Sequence, residues 1–320
     1  MTDRERSLSL ARRGEPEAPP GRASAAAARR RKPRSLWPIL ALAPALLFFA
    51  VFDYFPLGRV VMLSMQATDL FGRPAGFIGL ENYQRLLGDP QFLSTLSTTL
   101  LFAVGSVTAK LLVGLAIALP LSVAGRGSWL ARPVVLIPMA VSVAVAGLVF
   151  RALFQPGFGL ADQVLAAFGI PSPGWLVNPD FALVSVIIVD TWTAVGFTVL
   201  ILLAGLASVA EEVREAAAID GAGAFRTAVH IVIPLITPSL FFLVVYHTIG
   251  ALREFAVINV LTQGGPANAT RTLVIDIWNY AFGANAGSFG AASARAIVLL
   301  VIVGAASALQ FRISGERVHY

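Results

Sequence analysis

Six long apolar runs limit what this chain can fold into. They lie at roughly 36–57, 95–123, 131–153, 182–206, 234–261 and 290–311. Each approaches or exceeds the ~20 residues a helix needs to cross a ~30 Å hydrocarbon layer. A single globular core does not grow large enough to bury so many. Inside lipid, every backbone N–H and C=O must be paired within a helix or a closed barrel. A barrel would be written as ~10-residue alternating strands, and none is visible. The expected fold is an all-α integral membrane protein with six transmembrane helices, its membrane domain spanning 36–312.

The formal charge of +6 invites a nucleic-acid reading, but its distribution argues against one. Residues 1–35 hold ten Lys/Arg and four Asp/Glu, while the rest of the chain holds fourteen of each. The excess belongs to one tail, rich in Ala, Arg, Pro and Ser, that lacks apolar residues to bury and is expected to be disordered. Its end, "RRRKPR", precedes the first apolar run and is expected to stay cytoplasmic. The competing reading, a cleavable signal peptide, is disfavoured because the run from Leu36 is long and has no clear small-residue cleavage site. An even span count then puts both termini, including a short tail at 313–320, in the cytoplasm. On that orientation the inner segments carry sixteen Lys/Arg and the outer loops four. Without the tail the contrast is six against four, so the tail carries the argument. The chain has no cysteine, which excludes disulfides and thiolate sites.

The segment "EEVREAAAIDGAGAFRTAVHIVIP" (211–234) concentrates acidic residues between two apolar runs, on the cytoplasmic side in this orientation. Ser208 and Glu211 fit a capping box that would start a helix. Glu211 and Glu212 suit the first-turn dipole, and Asp220-Gly221 supplies a stop because Gly accepts the left-handed conformation. A second short helical stretch at about 223–231 would lead to Pro234, a first-turn residue of the fifth span. A solvated connector is the plain alternative. It leaves unexplained the smooth face of Ala216, Ala217 and Ala218, and the apolar Phe225, Val229 and Ile231 in a cytoplasmic loop. A docking element, at 208–233, explains both.

That segment resembles the EAA loop of permease subunits in binding-protein-dependent ABC importers. The matching residues are Glu215, Ala216, Ala217, Asp220, Gly221, Ala222, Ile231 and Pro234. Where the family often has an aromatic three residues before the Ile, this chain has Ala228, and Phe225 would supply the apolar contact instead. "FIGLENYQRLL" (77–87), "WLVNPDFALVSVIIVDTW" (175–192), "LAGLASVAEEVREAA" (203–217) and "VLTQGGPANATRTL" (260–273) resemble the carbohydrate-importer branch, in its maltose-permease-F-like or glycerol-phosphate-permease-A-like subunit. The resemblance covers about 36–312. It implies the ABC type I importer permease fold, in a prokaryotic plasma membrane, with an EAA coupling helix between the fourth and fifth spans. It also implies a second permease as heterodimer partner, two ATP-binding cassette subunits, an extracellular solute-binding protein and a carbohydrate solute.

The residues agree that ATP chemistry lies elsewhere. A phosphate-binding loop needs a lysine after glycine, and the only lysines, Lys32 and Lys110, follow Arg31 and Ala109. The three histidines lack metal-ligand spacing. No cofactor is expected on this chain, ATP and magnesium being held by the partner subunits, and no enzyme activity is expected of it.

Charged groups within spans are functional candidates. They are Lys110, Arg151, Asp190, Arg253, Glu254 and Arg295. Arg151 and Arg295 lie near span ends and would snorkel; Lys110 would face a partner helix or carbonyls. By the resemblance, an aromatic at the position of Trp192 lines the solute cavity, with Asp190 and Thr193 beside it to bond hydroxyls; simple packing of the Trp is the rival reading. His247, Gly250, Ala251 and Glu254 match the region that supplies polar sugar contacts. On a continuous helix Arg253 and Glu254 diverge by ~100° and would not face one site, and Glu254 is the expected cavity residue. The rival functions are a stand-alone transporter using Asp190 and Glu254 as proton carriers, and a membrane enzyme whose catalytic constellation is not visible.

Overall fold

The computed structural model describes residues 37–314, apart from 70, 124–127 and 284–285. The tail at 1–35, Arg126 and residues 315–320 lie outside the described residues. Two units divide at Asp53. In the first, α1 (Trp37–Phe49) runs into a π-helical turn at Ala50–Tyr54. Its side chains from Leu42 to Phe52 include a tilted Phe48–Phe52 pair with centroids 4.7 Å apart.

The second unit opens with α2 (Phe55–Ser64), a two-stranded antiparallel hairpin of β1 (Gln66–Thr68) and β2 (Pro74–Phe77), and α3 (Glu81–Leu87). The long helices α4 (Pro90–Val123) and α8 (Pro179–Ala207) enclose α5 (Ser128–Ala140), α6 (Val143–Leu153) and α7 (Leu160–Ala167) in the sequence. After them come α9 (Glu211–Ile219), α10 (Ala224–Thr227), a π-helical turn at Ala228–Val232, α11 (Ile233–Leu235), α12 (Thr237–Leu252), α13 (Ala256–Leu261), α14 (Leu273–Ala281) and α15 (Phe289–Ser314).

Four helical stretches are long and apolar enough to cross a membrane: Ala41–Ser64, Pro90–Val123, Pro179–Ala207 and Phe289–Ile313. Two more candidates are bent pairs, Arg132–Ala140 with Val143–Leu153 at 101° and Ala224–Leu235 with Thr237–Leu252 at 73°, giving six if each pair is one span. The uninterrupted runs expected at 131–153 and 234–261 are thus corrected. Pro133 and Pro138 remove donors from the α5 ladder, and extended backbone at Ser142 (φ −59°, ψ 135°) ends it. The fifth run breaks twice, at Ile236 beside Pro234 and Pro238, and again after Leu252, so that α13 is a separate helix.

The most extensive helix contact joins α4 to α8. Between helices in lipid, close approach replaces hydrophobic drive, so small residues mark the seam. A Cβ on Gly114 would stand 2.5 Å from Thr198 Cγ2 and 3.2 Å from Leu202 Cδ1. Two apolar clusters flank this seam. One gathers Phe102, Val186, Val189, Leu252, Val257 and Ile258. The other gathers Val195, Val199, Leu202, Leu206, Ile236 and Leu243. The segment between α13 and α15 contains α14, which packs on α15 and buries Leu273, Ile275 and Asp276.

Candidate functional site

A cavity of about 640 Å³ opens where α4, α8 and α12 face the bend between α5 and α6. Lys110 on α4 and Asp190 on α8 form part of its wall, with Nζ 2.7 Å from Oδ2. The Ser106 hydroxyl donates to the same Oδ2 at 2.5 Å. Two donors therefore converge on one buried carboxylate oxygen, as a buried charge requires. On α12, His247 Nε2 lies 3.0 Å from Thr198 Oγ1, and Tyr246 tilts over Phe197 with centroids 4.7 Å apart. Gly250 adds open space, with nothing within 4 Å of a would-be Cβ.

Arg253 and Glu254 both line this cavity. The expectation that they diverge is corrected, because α12 stops at Leu252 and Arg253 has left helical geometry (φ −109°, ψ 5°). Glu254 Oε1 accepts the Val257 N–H at 2.9 Å, fastening the start of α13. Asp190, Thr193, His247, Gly250 and Glu254 are thus brought to one wall, although the Thr193 hydroxyl donates to the Asp190 carbonyl at 2.9 Å. Trp192 and Ala251 are not on that wall. Trp192 meets the edge of Phe150 at 5.2 Å, and Ala251, 2% exposed, belongs to the first apolar cluster.

The acidic segment folds as an elbow. Its entry corrects the capping-box expectation: Ser208 ends α8 and its hydroxyl donates to the Gly205 carbonyl at 2.7 Å, while Ala210 is the residue before α9. Glu211 and Glu212 occupy the first turn of α9. At its far end, Gly221 (φ +76°) donates to the Ala218 carbonyl and Ala222 to the Ala217 carbonyl, at 3.1 and 2.9 Å. This pair of bonds is the left-handed glycine cap that satisfies otherwise orphaned carbonyls. Arg214 ties the elbow back to α8 through the Leu206 carbonyl at 3.2 Å.

Ala217 is buried, whereas Glu215, Ala216, Asp220 and Gly221 are exposed and Ala222 is half-buried. Ile219 and Phe225 are 86% and 82% exposed. Ile231 is half-buried and Pro234 exposed, leading into α12 through the short α11. Clefts of about 710 and 790 Å³ flank the elbow. The smaller runs between Leu119, Pro120 and Val123 of α4 and Ala218, Ala222 and Phe225. The larger includes Arg132, Glu211, Arg214 and Glu215.

Two polar clusters were not singled out from the sequence. Asp276 accepts Arg295 Nε at 2.6 Å and Arg271 Nε at 2.7 Å, and the Arg295 guanidinium carbon sits 3.5 Å from the centre of the Tyr280 ring. Arg295 is 5% exposed, so the snorkelling expected of it is corrected: a carboxylate and an aromatic face take the place of water. Arg151 is exposed and donates to the Val260 carbonyl at 3.3 Å. In the loop after α6, Asp162 accepts Ser172 Oγ at 2.6 Å, Gly157 N at 3.0 Å and Trp175 Nε1 at 3.0 Å. The Ser172 hydroxyl first, then the Gly157 amide, hold its carboxyl below the usual carboxylate range against the opposing effect of burial, and the Trp175 indole adds to them. Among the described residues, no group of three His, Cys, Asp or Glu is placed to hold a metal ion.

A broken helix lining a cavity, two bent apolar helix pairs and a polar elbow are features that suit a transport subunit. Residues 110–318 match the family described as the binding-protein-dependent transport system inner membrane component. The chain belongs to that family: it is an ABC-system permease subunit of the inner membrane, not an enzyme. It is 35% identical over 295 residues to the sn-glycerol-3-phosphate transport system permease protein UgpA of Agrobacterium fabrum (strain C58 / ATCC 33970), covering 90% of this chain and 98% of that one. It is 34% identical over 293 residues to the UgpA protein of Rhizobium meliloti (strain 1021), with the same coverages. Its fold resembles a chain of the bacterial alginate ABC transporter solved with an alginate pentasaccharide-bound periplasmic protein, at TM-score 0.75 and 21% identity over 87% of this chain and 94% of that one. A second structure of an alginate-importing bacterial ABC transporter gives a TM-score of 0.71 at 22% identity, over 87% of this chain and 96% of that one.

Proposed function

We propose that this chain forms half of the solute path of an importer for a carbohydrate: a sugar, oligosaccharide or polyol. The observation that carries the coupling role is the elbow itself, where a glycine-capped helix leaves Ile219 and Phe225 bare beside two clefts. Glu215, Ala216, Ala217, Asp220, Gly221, Ala222, Phe225, Ile231 and Pro234 are assigned to contact with an ATP-binding subunit. Asp190, Thr193, His247, Gly250 and Glu254 are assigned to the solute path, with Trp192 and Ala251 behind its wall. The partners are a second permease, two ATPase subunits that hold ATP and magnesium, and an extracellular solute-binding protein. Domain 36–312 spans the membrane, with the tails at 1–35 and 313–320 cytoplasmic.

Closure of the ATPase pair would draw the elbow inward and reorient the helices that join it, α8 through Arg214 and α12 through α11. This is a two-state element biased from a distance. The named relatives are associated with sn-glycerol 3-phosphate and alginate, both rich in hydroxyl groups, which supports a polyhydroxylated solute. The proton-coupled rival has no support from the family, and one of its two carboxylates is engaged by Lys110.

The test is reconstitution in proteoliposomes. The full complex should accumulate solute only with ATP and binding protein, and this chain alone should accumulate none. Gly221→Asp should leave the subunit inserted while the complex loses solute-stimulated ATPase activity. Unaided uptake by the isolated chain, or normal coupling in the Gly221→Asp complex, refutes the assignment.

A further inference from the structure

The charges on the cavity wall do not all have partners. Four charged side chains line it: Lys110, Asp190, Arg253 and Glu254. Asp190 is engaged by Lys110 and Ser106 through one oxygen. Glu254 spends Oε1 on the Val257 amide at the start of α13. Arg253 makes no side-chain hydrogen bond and no ion pair among the described residues. It is exposed in a cavity whose wall also carries Met139, Val143, Phe197 and Ile249.

A guanidinium cannot lose its proton at any ordinary pH, and its fork of N–H donors fits two oxygens of one carboxylate or phosphate. The carboxylate that α8 presents to the cavity, Asp190, is paired with Lys110 and not with Arg253. Nor does the adjacent Glu254 neutralise it, because that side chain turns towards α13. The break after Leu252 is what frees Arg253 from the helix surface and presents it on the same wall as His247 and Thr193.

We propose that Arg253 is a specificity-determining residue that receives an oxyanion of the solute, so that the carried carbohydrate is anionic, a phosphate ester or a uronate. This rests on the cavity being the solute path, as proposed above. His247 and Thr193 stand on the same wall within a site that would hold the hydroxylated part.

The test uses the complete complex with its binding protein in proteoliposomes and matched labelled pairs: glycerol and sn-glycerol 3-phosphate, glucose and glucose 6-phosphate, galactose and galacturonate. The anionic member of at least one pair should be carried in preference, and the phosphate and uronate arms separate the two oxyanions. Arg253→Gln should reduce its uptake at least about tenfold, the value of a charge-assisted contact. Arg253→Lys should retain more uptake than Arg253→Gln, and both complexes should assemble. Preference for the neutral members, or Arg253→Gln uptake within about twofold of wild type, overturns the inference and leaves the carbohydrate reading standing. Failure of the Arg253→Gln complex to assemble also overturns it, because Arg253 would then be a contact between subunits. ATP-dependent uptake of no member of any pair overturns the carbohydrate reading and the inference together.

Discussion

Lys110 and Asp190, eighty positions apart in the chain, meet across the α4–α8 seam at 2.7 Å with each side chain 5% exposed. The helices can hold this pair in lipid because Gly114 lets α4 settle against Thr198 and Leu202 one turn further along. The ion pair and the close approach are therefore parts of one interface, and the pair forms one wall of the cavity.

Breaking the pair from one side should be worse than removing it. Lys110→Met strands the Asp190 carboxylate, and Asp190→Asn strands the ammonium. Each should destabilise the detergent-solubilised subunit by about 3–5 kcal/mol, as uncompensated buried charges do. The double variant Lys110→Met/Asp190→Asn should recover part of that loss, since neither charge is then left alone. Thermal unfolding followed by size-exclusion yield measures all three. Additive losses in the double variant would show that the two side chains do not sustain each other.

At the elbow, the demand on residue 221 from its own chain is backbone alone, so the loss expected of Gly221→Asp comes from a charge set against the proposed ATP-binding subunit. Gly221 has φ +76° and open space where a Cβ would sit, so no neighbour must move to admit a side chain. A side chain there still meets the left-handed penalty of ~1–2 kcal/mol, more for a β-branched residue and less for Asn. Gly221→Asn should keep most of the solute-stimulated ATPase activity of the assembled complex, and Gly221→Val should lose most of it with membrane insertion intact. Equal activities would mean that the turn does not set the elbow's contact.

The sequence made this turn legible because a glycine stop is a local device: Asp220-Gly221 carries the same message in any context. Apolar length did the same for the long helices. The breaks were not legible, because hydropathy averages across Ser142 and Arg253 while backbone geometry does not. Ser208 misled for a related reason. Its spacing to Glu211 fits a capping box, but its hydroxyl is spent on the Gly205 carbonyl at the end of α8. The charged pairs, Lys110 with Asp190 and Arg295 with Asp276, depend on tertiary packing and have no periodic signature. Their only advance sign was the expense of leaving such groups alone in lipid.

Asp162 should make the loop after α6 sensitive to acid but not to neutral pH. Its pKa is held below the ordinary value by Ser172, Gly157 and Trp175. A carboxylate lowered in this way stabilises the fold fully above its unfolded pKa of about 3.9. That contribution is lost as pH falls through the still lower folded value. The loop should therefore hold its structure from pH 8 down to about 4 and loosen only below. Trp175 emission, isolated by subtracting a Trp175→Phe spectrum, would follow the change. Asp162→Asn should loosen the loop at neutral pH and flatten the acid transition; an unaltered acid transition in that variant would assign it to another group.

Asp276 holds two arginines at once, which gives its removal a distinctive result. One oxygen takes Arg271 and the other takes Arg295, which also lies over Tyr280. Asp276→Asn keeps the shape but leaves Arg271 without its carboxylate and the 5% exposed Arg295 with only Asp89 Oδ2, at 4.0 Å. The expected loss is again about 3–5 kcal/mol, set mainly by Arg295. Arg271→Gln should be milder, because Asp276 keeps its bond to Arg295 and the Arg271 side chain is 15% exposed. Arg295→Lys should fall between them, retaining the charge but losing the planar fork and the ring contact. Melting temperatures of the three purified variants test this order, and an Asp276→Asn protein as stable as the parent would show that α14 is held on α15 by its apolar face of Leu273 and Ile275 alone.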